Sequence, residues 1–149
     1  LFHGHGGLDR LADESMLAVS DVDAIQNQGR EPFFAALTCA INRFEIPGYP
    51  ALGEEMTRAS DGAAIAVWAP SGISLGSEAV LLGEHLADSV FRAPVGRLGD
   101  AVLEAERPFA DSGGSTEMLQ LYHLLGDPAL RLVAPVVEAP GGGGSPSVE

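Results

Sequence analysis

Two stretches of the chain are apolar at nearly every position rather than at every second one. Phe33-Phe34-Ala35-Ala36-Leu37-Thr38 follows Pro32, and Ala63-Ala64-Ile65-Ala66-Val67-Trp68 runs up to Pro70, Ser71 and Gly72. Unbroken apolarity over so short a length, bounded by turn residues, predicts strands covered on both faces, as in a parallel sheet. Elsewhere the period is helical. Ser20-Asp21-Val22-Asp23 predicts the capped start of a short helix reaching toward Asn27 and ended by Gly29, and Ala51 to Ala59 predicts another. Ser77 can cap a longer helix running to Arg92; its Ala79, Leu82, Leu86 and Val90 make an apolar stripe opposite Glu78, His85, Asp88 and Arg92. Leu98, Ala101, Val102 and Ala105 repeat the helical spacing. So do Met118, Leu121, Tyr122 and Leu125, closed by Gly126-Asp127-Pro128, with Ala129 to Val133 as a last strand. Strands alternating with helices predict an α/β sandwich with a mostly parallel sheet.

The ends of the chain read differently from its middle. Leu1-Phe2-His3-Gly4-His5 has no basic stretch before an apolar one, so it is not a signal peptide. It reads as a strand entering a glycine-rich turn, with the expectation that earlier strands precede Leu1 and that the sheet is incomplete at this end. Such a half-sheet would expose its edge and need that preceding segment. From Pro135 the periodicity stops, and Pro140-Gly141-Gly142-Gly143-Gly144-Ser145-Pro146 predicts a flexible linker over 135–149, leaving 1–134 as the domain.

Composition narrows the function. With 46% apolar residues the chain can build a core, but no uncharged apolar run is long enough for a membrane span. The formal net charge of −13 repels phosphate backbones and argues against a nucleic-acid partner. The acidic surface leaves a structural calcium ion open, although no EF-hand spacing of carboxylates occurs. A single cysteine, Cys39, forbids an internal disulfide.

Four groupings carry candidate chemistry. His5, in Gly4-His5-Gly6-Gly7, and Cys39 lie 34 positions apart, each just past a predicted strand. Neighbouring parallel strands end on one edge of the sheet, so both side chains can meet there. An imidazole would activate the thiol, and the glycines would leave N–H groups free for an oxyanion. Spacing alone leaves a buried structural cysteine equally open. His3 and His5 would face the same way on a strand, but a zinc site lacks its third ligand. Gly72-Ile73-Ser74-Leu75-Gly76 matches the G-x-S-x-G of serine esterases, with His123, Asp100 and Asp111 downstream. Against it, Pro70-Ser71 intervene after the strand and His123 falls in an apolar helix. Asp127, between Gly126 and Pro128, reads as helix termination.

The order of four segments resembles the gingipain family of cysteine peptidases. They are Phe2-His3-Gly4-His5-Gly6-Gly7, then Ala36-Leu37-Thr38-Cys39 followed by Phe44. Gly62 through Gly72 and Leu124-Leu125-Gly126-Asp127-Pro128-Ala129-Leu130 complete the set. The resemblance implies a caspase-like three-layer sandwich, of which 1–134 is the C-terminal part. It also implies a cysteine endopeptidase that cleaves protein or peptide substrates without a cofactor or a metal. Cys39 would be the nucleophile, His5 the acid–base partner, and the N–H groups of Gly6 and Cys39 the oxyanion hole. Leu37 and Trp68 would wall the substrate pocket. The location implied is extracytoplasmic, secreted or on the surface of a bacterium. The family often has Gly three residues after the nucleophile; here Asn42 stands there, a residue that tolerates left-handed backbone angles. A serine esterase using Ser74 and a non-catalytic peptidase-like module remain the alternatives.

Overall fold

The structure, a computed structural model, describes residues 1–92 and 96–131. In chain order its elements begin with β1 (Phe2–His3), β2 (Gly6–Gly7), β3 (Arg10–Leu11), β4 (Leu17–Ala18), α1 (Val19–Val22), β5 (Phe33–Leu37) and α2 (Leu52–Arg58). They continue with β6 (Ala66–Pro70), α3 (Gly76–Ala87), α4 (Leu98–Asp111), α5 (Thr116–Leu121) and β7 (Tyr122–Gly126). A π-helical turn, Asp88–Arg92, extends α3.

Four strands form the main sheet in the order β1-β5-β6-β7. β1, β5 and β6 run parallel, while β7 pairs antiparallel with β6 from Ala66↔Gly126 to Pro70↔Tyr122. Alternate residues of a strand face opposite ways, and here both faces are covered. Ala35, Leu37 and Trp68 pack with Leu82 and Leu86 of α3, Ala105 and Phe109 of α4, and Met118 of α5. Ala36, Val67 and Ala69 pack on the other side with Ile41, with Leu52 and Met56 of α2, and with Val22 of α1. This three-layer arrangement explains why β5 and β6 are apolar without alternation. Each Leu-sized side chain taken from water into these layers contributes about 1.5–3 kcal/mol. Glycine sets one close approach: a Cβ on Gly83 of α3 would fall 2.5 Å from Leu37 Cδ1, so α3 lies directly on β5.

The structure corrects several sequence expectations. The apolar run after Met118 is only partly helical; α5 stops at Leu121, and Tyr122–Gly126 becomes an edge strand because β6 offers it a free ladder. Gly126-Asp127-Pro128 therefore closes a strand, with Gly126 at φ +123 and the Asp127 carboxylate accepting the Ala129 N–H at 2.8 Å. Residues 129–131 form no strand; the rest of the expected 129–133 strand, like the 135–149 linker, lies outside the described residues. The second buried strand is shifted to Ala66–Pro70, since Ala63 sits at φ +73, which no strand accommodates. The first short helix starts at Val19 rather than after Ser20, with Asp21 accepting the Ala18 N–H at 2.9 Å. The small antiparallel sheet β2-β3-β4 has no counterpart in the sequence reading.

Candidate active site

β1 and β5 pair in the register Phe2↔Ala36 and His3↔Leu37, and the Gly4 N–H extends the ladder to Leu37 O at 3.2 Å. Both strands thus end at one level on one edge of the sheet. His5 and Cys39 each follow two residues later. The turn after His5 lies against the cysteine segment: a Cβ on Gly6 would overlap Thr38 Oγ1 and sit 3.1 Å from both Cys39 O and Ile41 Cγ2. Only glycine allows that approach. His5 O accepts the Ala12 N–H at 2.9 Å, so His5 and Ala12 occupy a hydrogen-bonded position of the β2–β3 ladder. The next pair, Gly6↔Leu11, is then a non-hydrogen-bonded one, and the Gly6 N–H points away from β3. His5 is exposed, and Cys39 is a free thiol that is half-buried.

The cysteine turn is laced to the loop after β6. Ala40 adopts φ +56, a left-handed conformation that costs a non-glycine residue about 1–2 kcal/mol. The compensation is visible. Ala40 N–H donates to Gly72 O at 2.9 Å, and Asn42 N–H donates to Pro70 O at 3.1 Å. The Ser74 hydroxyl donates to Thr38 O, and Cys39 Sγ stands 4.0 Å from Ser74 O, the outer reach of a thiol donor. Asn42 does not take up the left-handed position expected of it; Ala40 does, and Asn42 is fully buried instead.

The remaining candidates fall elsewhere. Leu37 and Trp68 are 5% and 0% exposed and lie in the core against α3, α4 and α5, so their side chains support the sheet from inside rather than line an open wall. The Trp68 ring packs on Tyr122 with centroids 4.6 Å apart. Burial pushes the Tyr122 phenol up to about 12, so it stays protonated at neutral pH. Ser74 spends its hydroxyl on a backbone carbonyl. His123 Nε2 lies 3.2 Å from the hydroxyl of Ser71, not of Ser74, and its ring takes Phe44 edge-on. No serine triad is therefore assembled around Ser74 by this histidine. Among the described residues no three His, Cys, Asp or Glu side chains gather as a metal site, and no helix is long and apolar enough to cross a membrane.

The model of peptidase family C25 matches residues 1–133. The chain belongs to that family. Solved structures agree on the fold. The chain is similar to the complex of Porphyromonas gingivalis RgpB pro- and mature domains, with a TM-score of 0.77 and 15% identity. It is similar also to the Arg-specific cysteine proteinase gingipain R, with 0.76 and 17%, and to a structure described only as a protease, with 0.63 and 20%. Each likeness covers 87% of this chain but 33%, 32% and 35%, respectively, of the other chain, so this chain spans about a third of their length. No curated protein matches it.

For this C25 chain, the sequence puts His5 and Cys39 just past strand ends, and the structure adds the hydrogen bonds that hold the turn after Cys39. Ser74, the alternative nucleophile in the sequence, ties the β6 loop to Thr38. Asn42, expected to serve the turn through its backbone, bridges two strands with its carboxamide. A signal for the latter was available: an amide beside Ile41, in a segment flanked by apolar strands, must find partners when buried.

Proposed function

We propose that this chain carries the nucleophile and the acid–base residue of a cysteine peptidase, working with a preceding segment of the same domain on protein or peptide substrates. Cys39 passes its thiol proton to His5 and attacks the scissile carbonyl carbon, forming a C–S bond. His5 protonates the leaving amine as the C–N bond breaks, leaving a thioester. Water then attacks the thioester while His5 takes its proton, and the C–S bond breaks to free the acid and the thiol group. The N–H groups of Gly6 and Cys39 stabilise the tetrahedral oxyanion in both steps. Leu37 and Trp68 act on the substrate pocket from beneath, as its packed floor. The scheme needs no cofactor, and the protein is placed outside the cytoplasm of a bacterium. One observation carries this reading: the register His3↔Leu37 brings an exposed imidazole and the half-buried thiol to the same edge.

The test uses Cys39→Ala, His5→Ala and Ser74→Ala in the full-length protein against a mixed peptide library. Cys39→Ala should abolish cleavage, His5→Ala should cost at least ~100-fold, and Ser74→Ala should cost less than ~10-fold. Iodoacetamide should inactivate the wild type and a fluorophosphonate should not. Cleavage that survives Cys39→Ala would overturn the assignment.

A further inference from the structure

We infer that Asn42 is a positioning residue for Cys39, holding the nucleophile turn at the place where β5 stops pairing with β6; this rests on the peptidase reading above. The last registered pair between these strands is Ala35↔Trp68. Beyond it β5 leaves the ladder, and Ala69 and Pro70 on β6 lose their strand partner on that side. Asn42 takes its place. The main-chain N–H donates to Pro70 O at 3.1 Å, and Nδ2 donates to Ala69 O at 3.2 Å and to His123 O at 3.0 Å. One side chain therefore joins β6, β7 and the turn three residues after the thiol.

The site is built tightly around this amide. Asn42 is 0% exposed, and its Oδ1 is buried with no hydrogen-bond partner among the described residues. That oxygen lies against Gly53, where any Cβ would overlap it. The Gly53 N–H in turn donates to Ile41 O at 2.8 Å, so the first turn of α2 grips the same segment. A buried acceptor left unsatisfied is costly. Its retention in this place is explained by what the other half of the amide does. With Ala40 held at φ +56 and Asn42 clamped two residues further on, the turn that follows Cys39 is fixed by residues outside the proposed dyad.

The experiment compares Asn42→Ala and Gly53→Ala with wild type in the full-length protein. The first removes the amide and the second pushes on it. Competent sites are counted as Cys39 labelled by a peptidyl acyloxymethyl ketone, and melting is followed in parallel. Both variants should lose about tenfold or more in kcat per labelled site, with KM within about threefold, because a small displacement of a reacting group costs rate rather than binding. Iodoacetamide, which needs no orientation, should alkylate Cys39 at close to the wild-type rate. A lowered melting temperature with unchanged kcat per labelled site would make Asn42 merely structural and overturn the inference, as would variants that yield no labelled site because neither folds. Cleavage that survives Cys39→Ala would instead remove the peptidase reading beneath it.

Discussion

His3 stands opposite Leu37 in the parallel ladder between β1 and β5. A slip of one residue in that pairing would turn His5 to the other face of the sheet, since strand side chains alternate with a period of two. The register is specified by more than the strands. Leu37 must lie under Gly83 on one face while Thr38 meets Gly6 on the other. The site geometry is therefore a consequence of core packing, and its weak points are glycines.

Gly6 is the most sensitive of these. In Gly6→Ala the new Cβ meets Thr38 Oγ1, the Cys39 carbonyl and Ile41 together, two of them parts of the cysteine segment itself. Overpacking of this kind costs about 1–3 kcal/mol. The prediction is a lower melting temperature together with a loss of cleavage of at least ~10-fold. Gly7→Ala is the control. It has no neighbouring atom within 4 Å, and it should match wild type in both measurements.

Leu37 separates a wall from a floor. A residue lining an open pocket can be shortened with a change in KM and little loss of stability. Leu37 is 5% exposed and packed among Trp68, Leu82 and Leu86. Leu37→Ala should therefore destabilise the fold by about 2–5 kcal/mol, read as a shift of the denaturation midpoint. A midpoint within about 0.5 kcal/mol of wild type would return Leu37 to the surface role that the family resemblance implies.

What was legible in the sequence follows from which forces are local. β5 and the stripe of α3 could be read because burial imposes a composition on them directly. Tyr122–Gly126 could not. Leu121-Tyr122-His123-Leu124-Leu125 suits a helix or a strand, and the free edge of β6 decides between them. The β2-β3-β4 sheet escaped because each of its strands is two residues long. At the site, His5 and Cys39 were legible as residues just beyond strand ends. The hydrogen bonds from Ala40 and Asn42 were not, because they depend on a left-handed alanine that nothing in the local sequence announces.

Ser74 tests the strut against the nucleophile. Its hydroxyl donates to Thr38 O, and removing it strips the carbonyl of that partner near the rim. Ser74→Ala should cost about 1 kcal/mol of stability and lower cleavage by less than ~10-fold. Loss of all activity in Ser74→Ala, with the protein folded by circular dichroism, would revive the serine hydrolase.

Glu106 supplies the pH dependence. It lies on α4 in a groove shared with Arg97, Asp100 and His123, and burial raises its carboxyl above the ordinary 4.5. The sign follows from linkage. A carboxyl with a raised value in the folded state binds its proton more tightly there than in the unfolded chain. Folding is therefore favoured by that proton below the unfolded value, and the advantage disappears as pH rises through the folded value. At neutral pH the ionised group is a burden of desolvation without a paired cation among the described ion pairs. Glu106→Gln keeps the shape and removes the charge. It should stabilise the protein at pH 7 by up to about 1 kcal/mol, since the group is only partly buried, and should change nothing well below pH 4.5. Urea denaturation of both proteins across this range checks the prediction. A variant less stable than wild type at pH 7 would mean that the carboxylate is paired rather than merely desolvated.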